Sequence, residues 1–277
     1  MNDVNTMGEI KPVPAATVLL VRDGRHGLEV LMMQRNLQSV FVPGNYVFPG
    51  GAVDEQDAAP DASELCAGLD DVQASAALGI ASGGLAYWVA AIRESFEEAG
   101  LLLAYAPGGG IVELIRDDMI ERFSAHRRAV DEGGRSLAAI VREEGLRIAV
   151  DQLVYFSHWI TPVGAPRRYD TRFFVAEAPP AQAPLHDNRE TISHVWIHPG
   201  AALDRHRAGG FKLRFPTERT LEQCVSFDHV ASLLKAMRAQ RSVPAILPRI
   251  GKDGRRLLPG DAGYEEAVGV GGTGKWL

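Results

Sequence analysis

A short segment near position 95 constrains the fold of this chain more than any other feature. Three glutamates, Glu94, Glu97 and Glu98, precede Gly100. An α-helix turns about 100° per residue, so the three carboxylates would share a sector of roughly 100° on one helix. The other side of that helix would carry apolar residues: Leu85, Trp88, Val89, Ile92, Phe96 and Ala99. The pattern predicts an amphipathic helix that starts near Leu85, packs on a core and closes at Gly100 in the left-handed conformation.

The carboxylate cluster on this helix indicates a metal site. Like charges at helical spacing repel one another, which costs stability unless a cation lies among them. Hard divalent ions such as Mg²⁺ prefer carboxylate oxygens and keep waters that phosphates can replace. Most such clusters are solvated helix faces. Here, however, Arg93 directly precedes the cluster and Phe48-Pro49-Gly50-Gly51 lies upstream, a combination that favours metal binding by all three glutamates.

Residues 48–54 and 93–101 resemble the two halves of a Nudix box, the metal-binding motif of hydrolases that cut diphosphates linked to a nucleoside. In that motif a Glu follows the glycine after five residues, and seven residues later comes Arg-Glu. Here the first position is Asp57, and 35 residues separate it from Arg93. Residues 58–84 are therefore interpreted as an insertion at the surface, which costs little because closure entropy grows only with the logarithm of loop length.

The first acid of the box normally pairs with its arginine to hold loop and helix together. The resemblance thus implies that Asp57 pairs with Arg93. Because an Asp side chain is shorter than Glu, Asp54 or Glu55 could substitute.

The sequence before the box narrows the substrate class. Arg35, Gly44 and the Phe-Pro-Gly-Gly run resemble the motif of coenzyme A diphosphatases among Nudix hydrolases. The second Arg of that motif is Val40 here, and the Thr before the first Arg is absent. Two later segments, 158–162 and 168–174, look most like the acyl-CoA diphosphatase branch. The resemblance covers roughly residues 12–240, with 241–277 as an extended or partly flexible tail.

The resemblance also implies a reaction. Glu94, Glu97 and Glu98 would bind one to three Mg²⁺ or Mn²⁺ ions, which offset charge on the diphosphate and activate a water. Within the box, Glu98 or Glu97 would accept the proton of that water. Outside the box Glu190 is a candidate base, although a surface Glu in a polar loop is an equally good interpretation. Coenzyme A would yield 3′,5′-ADP and phosphopantetheine.

Coenzyme A carries a 3′-phosphate and a diphosphate, so a cationic wall is expected around it. Guanidinium groups match phosphate oxygens, and the candidates are Arg35, Arg167, Arg168 and Arg172. Arg35 and Arg172 rank first because their flanking sequences predict buried strands, where an arginine needs a partner. Gly50 and Gly51 are assigned to substrate binding by their place in the box.

Composition excludes several function classes. The net charge of −6 argues against a general nucleic-acid binder, which would present a basic surface. The two cysteines, Cys66 and Cys224, stand in no metal or redox spacing and predict reduced thiols of a cytoplasmic protein. We expect no signal sequence, no membrane span and no peroxisomal Ser-Lys-Leu terminus. A homodimer is compatible with the sequence.

The remaining sequence predicts an α/β (α+β) fold in which a mixed sheet lies between helices, with the insertion and a C-terminal helical extension. Helices are expected at 112–130, 136–145 and Thr217–Gln240. Strands are expected at Ala15–Val21, Leu28–Gln34, Tyr46–Phe48, Leu101–Tyr105, Val154–Ile160, Arg172–Ala176 and Ser193–Ile197.

Three functions stay open on sequence alone. The first is a metal-dependent diphosphatase of coenzyme A or acyl-CoA. The second is a Nudix hydrolase of another nucleoside diphosphate derivative such as NADH or ADP-ribose, since Val40 departs from the coenzyme A motif. The third is a Nudix fold that binds a ligand without turnover, which the intact Glu94, Glu97 and Glu98 set argues against.

Overall fold

Alternation of side chains along the first strand divides the molecule into two apolar layers. Strand β1 (Val13–Gly24) directs Ala16, Val18 and Leu20 into one buried cluster, and Leu19 and Val21 into the other. Successive residues of a strand point to opposite faces, so a strand with buried apolar residues on both faces must be covered on both sides.

The computed structural model describes residues 10–36, 38, 43–59, 61–186, 189–251 and 253–267. After β1 the strands are β2 (Gly27–Arg35), β3 (Tyr46–Val47), β4 (Gly50–Ala52), β5 (Ala104–Tyr105), β6 (Arg147–Ile148), β7 (Val154–Ile160), β8 (Tyr169–Glu177), β9 (Thr191–Ile197), β10 (Ala245–Ile246), β11 (Arg249–Ile250) and β12 (Arg256–Leu257). The helices are α1 (Ala62–Leu65), α2 (Asp71–Leu78), α3 (Leu85–Ala99), α4 (Asp117–Asp131), α5 (Leu137–Glu143), α6 (Pro199–Arg207), α7 (Phe215–Cys224) and α8 (Val230–Arg238).

The main sheet is mixed, as predicted. Its strands follow the order β10-β7-β8-β1-β2-β3, with β4 also paired to β1 and β9 also paired to β2. The β1–β8 and β7–β10 pairs are parallel, and the other pairs of this sheet are antiparallel. Helices α2 to α5 cover one face, and α6 to α8 cover the other. The predicted arrangement of a mixed sheet between helices is confirmed.

The predicted single helix Thr217–Gln240 is wrong, because the structure has two helices there and a further one, α6, before them. No Gly or Pro marks the break. The backbone turns where Phe227 N–H donates to Cys224 O at 3.2 Å, and Asp23 Oδ1 of the β1–β2 hairpin accepts from Val230 N at 2.8 Å. A contact from a distant turn thus starts α8, and Val225, which directly follows α7, is 41% exposed.

Other predicted segments shift at their ends. The first helix after the box begins at Asp117 instead of 112, and the strand at Leu101–Tyr105 is reduced to β5, which pairs with β6 in a separate two-stranded sheet. Within residues 58–84, α1 and α2 form where a surface insertion was expected, and Ala74 and Leu78 of α2 join the core. After residue 240, β10 pairs with β7, and β11 pairs with β12; residues 268–277 lie outside the described part.

Across the described ranges, no helix combines the length and apolar composition that a bilayer crossing requires.

Candidate active site

Helix α3 carries the three glutamates and is fixed at both ends. Gly100 has φ 69°, and its N–H donates to Phe96 O at 3.0 Å, so the helix closes in the predicted left-handed conformation. At the other end Asp71, on α2, accepts from Leu85 N and Gly83 N at 3.0 Å each. Its pKa is lowered by these backbone hydrogen bonds. No local sequence signal marks this cap, because Leu85 and Asp71 are 14 residues apart.

Arg93 joins the helix to the glycine loop. Its Nε donates to Asp57 Oδ1 at 2.8 Å, and its Nη2 donates to Asp57 Oδ2 at 3.0 Å and to Ala52 O at 2.8 Å. Asp57 is 1% exposed. The short Asp side chain therefore does reach Arg93, because the 3₁₀ turn at Glu55–Ala58 brings it inward. Asp54 lies farther from the guanidinium, at 3.8 Å, and Glu55 is exposed.

The glutamates lie against the two glycines. Arg93 Nη1 donates to Glu94 Oε1 at 2.8 Å and to Glu97 Oε1 at 3.1 Å. Glu98 Oε2 accepts from Gly50 N at 3.2 Å. A Cβ at Gly51 would collide with the Glu94 carboxylate and force that side chain to move, whereas a Cβ at Gly50 would collide with the backbone of Ala16 and Thr17.

Burial disfavours the ionised form of these carboxylates when no cation is bound. Burial raises the pKa of Glu94 to about 7, against the opposing charge of Arg93, and it raises the pKa of Glu97 as well. The pKa of Glu98 is raised well above its usual value, first by burial and then by the charge of Glu94. Arg93 uses only the Oε1 atoms of Glu94 and Glu97. Oxygen donors with an unbalanced charge fit a hard divalent ion such as Mg²⁺ or Mn²⁺.

Two further predicted residues lie beside this cluster. Arg35 Nη2 is 3.2 Å from Glu190 Oε2, and Arg35 is paired across the sheet with Thr191. The positive charge of Arg35 lowers the pKa of Glu98, while the negative charge of Glu190 raises it, so both side chains act on the buried glutamate. The Glu190 side chain is 58% exposed. Val40 lies outside the described residues.

The other predicted arginines make different contacts. Arg168 donates to Thr161 O at 3.1 Å and to Ile10 O at 2.8 Å, which ties the start of β8 to the chain before β1. Arg172 bonds His158, lies 3.2 Å from Asp170 and has its guanidinium carbon 5.8 Å from the ring centroid of Tyr87. Arg167 is exposed. None of these contacts involves the three glutamates, so the substrate roles of Arg167, Arg168 and Arg172 stay predictions.

A second group of potential ligands lies on α4 and α5. The ligand atoms of His126, Glu143 and Glu144 lie within 4.8 Å of one another. Arg135 pairs with Glu143, and Arg122 Nη2 is 3.2 Å from Glu144 Oε2. Because arginines already neutralise both acids, this group is better explained as an ion-pair network than as a metal site.

Sequence comparison places the chain beside known diphosphatases. Residues 72–218 match the family described as NUDT19 Nudix domain. The chain is 30% identical to an acyl-coenzyme A diphosphatase NUDT19 from Gallus gallus, over 86% of this chain and 73% of that protein. It is 28% identical to the Homo sapiens protein of the same description, over 87% and 73% of the respective chains.

A solved structure agrees with the fold. The crystal structure of a NUDIX hydrolase from Alicyclobacillus acidocaldarius superposes with a TM-score of 0.67 at 25% identity, over 84% of this chain and 98% of that one.

Proposed function

Because this chain belongs to the Nudix family, in the group described as NUDT19 Nudix domain, we propose that it is a metal-dependent diphosphatase of coenzyme A or acyl-CoA. The observation that carries the proposal is the set of Glu94, Glu97 and Glu98, held against the glycine loop by the Arg93–Asp57 pair, with Glu98 buried and the other two partly buried. The relatives named acyl-coenzyme A diphosphatase supply the substrate class.

The residues of this site would have separate roles in hydrolysis. Glu94, Glu97 and Glu98 would hold Mg²⁺ or Mn²⁺, which when bound offsets the charge of the diphosphate and lowers the pKa of a water. Arg93 and Asp57 fix the helix relative to Gly50 and Gly51, so the carboxylates keep their spacing.

Water would attack one phosphorus of the diphosphate, and the bond from that phosphorus to the bridging oxygen would break. The products are 3′,5′-ADP and (acyl-)phosphopantetheine, and a carboxylate takes the proton of the attacking water. Within the box, Glu98 or Glu97 would serve this role, since both lie on the helix turn that would hold the ion. Glu190 is the candidate outside it, supported by its position next to Arg35.

A negatively charged substrate needs cations, and Arg35 is the predicted arginine that lies beside the glutamate set. We assign Arg35 to substrate phosphate, together with Arg168 and Arg172 as further candidates from the sequence. The substrate is a small molecule, and the net charge of −6 argues against a nucleic-acid partner. A cytoplasmic location and a homodimer remain part of the proposal.

A second candidate is hydrolysis of NADH or ADP-ribose by the same site. This second candidate stays open because Val40 stands where the coenzyme A motif has an Arg. A binding protein without turnover is disfavoured by the complete set of acids.

A hydrolysis panel tests the proposal. The substrates are coenzyme A, acetyl- and longer acyl-CoA, dephospho-CoA, NADH and ADP-ribose, each with Mg²⁺ and with Mn²⁺, and the products are separated chromatographically. We expect 3′,5′-ADP from coenzyme A or its esters, and much slower turnover of dephospho-CoA. Preference for NADH or ADP-ribose would overturn the coenzyme A assignment, and no turnover of any of them would favour the binding protein.

A further inference from the structure

We propose that α4 is a strut that positions the metal-binding end of α3, and that Arg127 is the positioning residue through which it acts. The inference rests on the proposed function, since it concerns the same glutamates. Its evidence is a set of contacts between elements that the box motif does not contain.

Arg127 reaches from α4 to the last turn of α3. Its Nε donates to Glu97 O at 2.8 Å, and its Nη2 donates to Glu98 O at 3.0 Å. The last four carbonyls of a helix have no partner within the helix. A cation at this end also meets the negative end of the helix dipole. One buried guanidinium, 8% exposed, therefore fixes the main chain of two residues whose side chains belong to the glutamate set.

The guanidinium is held in place by a helix that is itself anchored. Phe123 and Val130 of α4 are 2% and 6% exposed and belong to the same core cluster as α3. A Cβ added at Gly100 would lie 3.2 Å from Arg127 Nη1, so the turn after α3 packs closely on the arginine. A shift of α4 would consequently move the backbone that carries Glu97 and Glu98.

The C-terminal end of α4, one turn beyond Arg127, contacts the loop that carries Glu190. Arg189 Nη1 lies 2.8 Å from Asp131 Oδ2, and Arg189 Nη2 lies 3.0 Å from Glu132 Oε1. Since the Arg189 side chain is 59% exposed, these pairs contribute little stability. They do place α4 between the metal-binding turn and the loop before β9.

Partners that orient metal ligands typically change metal affinity or activity by about 10- to 100-fold when they are lost. Arg127 acts on the ligands through their main chain, so the lower end of that range is expected. Arg128 provides a matched control, because it is the next residue of α4, carries the same charge and is exposed.

The test measures the affinity of the metal-free full chain for Mn²⁺. The electron paramagnetic resonance signal of unbound Mn²⁺ reports how much of the ion remains free at each step of the titration. Five proteins are compared: wild type, R127Q, R127K, R128Q and E97Q. Binding that is lost in E97Q defines the site and excludes Mn²⁺ held near His126. Thermal unfolding of each protein confirms that it is folded at the temperature used.

We expect R127Q to weaken Mn²⁺ binding by about tenfold and to lower kcat more than it raises KM for coenzyme A. R127K should recover part of the affinity, since an ammonium still donates to a carbonyl but cannot form the fork. R128Q should match wild type. If R127Q binds Mn²⁺ as tightly as R128Q does, the positioning role of Arg127 is refuted, even if R127Q is less stable.

If R127Q does not fold, the Mn²⁺ affinity of R127K tests the proposal. An affinity between those of E97Q and wild type would support the positioning role of Arg127. An affinity equal to that of wild type would overturn it. A wild type that binds Mn²⁺ but hydrolyses no diphosphate would refute the proposed function and leave the Mn²⁺ comparison valid for the strut.

Discussion

At the scale of single residues, one buried ion pair connects the glycine loop to the metal-binding helix. Both oxygens of Asp57 accept hydrogen bonds from Arg93 on α3, and Oδ2 also accepts from Asp54 N of the loop at 2.8 Å. The buried carboxylate therefore has donors from both the loop and the helix. The sequence suggested the pair through the family motif but left three acids as candidates. Only the three-dimensional turn at Glu55–Ala58 decides among them, because it buries Asp57 and leaves Glu55 exposed.

Replacement of Asp57 by alanine should therefore destabilise the protein strongly. It leaves the buried Arg93 charge without its main partner, and such a loss costs about 3–5 kcal/mol. Asp54→Asn, a change at an exposed acid 3.8 Å from the same guanidinium, serves as the control and should cost less than about 1 kcal/mol. Urea unfolding of both variants measures the difference, and equal losses would show that Asp57 is not the principal partner.

The pKa of Glu94 predicts how the stability of the metal-free protein changes with pH. Folding raises this pKa from 4.5 to about 7, mainly through burial, so the folded state favours the protonated carboxyl. The stabilisation from Glu94 is thus fully present below its unfolded pKa and is lost as pH rises through about 7. We expect the Tm of the metal-free protein to fall between about pH 4.5 and pH 7, the unfolded and folded pKa values of Glu94.

Two comparisons isolate this effect. In Glu94→Gln the fall of Tm with pH should be smaller, because glutamine does not titrate. Saturating Mn²⁺ should raise Tm most at the alkaline end, where ligands are ionised. A Tm that rises across this range in the metal-free wild type, with the same slope in the variant, would contradict the assignment.

At the scale of secondary structure, α3 shows what a sequence can predict. Its apolar stripe and closing Gly100 gave both ends correctly, since these signals are local and periodic. The break between α7 and α8 could not be predicted from the sequence, because the acceptor for Val230 N is Asp23, far away in the chain. Arg127 gave no signal for the same reason: nothing local marks which arginine of a charged helix will cross to another helix.

The cap that α2 supplies to α3 makes a prediction at this scale. Asp71→Ala removes acceptors from two backbone N–H groups, Leu85 N and Gly83 N, and should cost about 0.5–2 kcal/mol. Val72→Ala changes the next residue, which is 78% exposed, and should change stability by less than about 0.5 kcal/mol. Chemical denaturation compares the two. If Asp71→Ala is as stable as the control, segment 58–84 does not support α3 in this way.

At the scale of the whole molecule, the sheet separates the site from the C-terminal helices. The glutamates, Arg35 and α4 belong to the side that α3 covers, while α6 to α8 pack on the other face. The sequence predicted this layering because several strands read as apolar or alternating runs between helical segments. It did not predict that residues after 240 return to the sheet as β10, since a two-residue strand has no period. The boundary at 240 and the interpretation of 58–84 as an insertion remain predictions.

We propose that Glu94, Glu97 and Glu98 bind the divalent ion on which diphosphate hydrolysis depends. The most direct measurement is the initial rate of 3′,5′-ADP release from coenzyme A as Mn²⁺ is titrated, in wild type, in Glu97→Gln and in the exposed control Glu64→Gln.

We predict a rate that saturates with Mn²⁺ in wild type and in the control and that vanishes with a chelator. In Glu97→Gln the rate should fall by at least about 100-fold, beyond the usual effect of an outer partner, while coenzyme A still binds. Release of 3′,5′-ADP without a divalent ion, or an equal rate in Glu97→Gln, would contradict the claim.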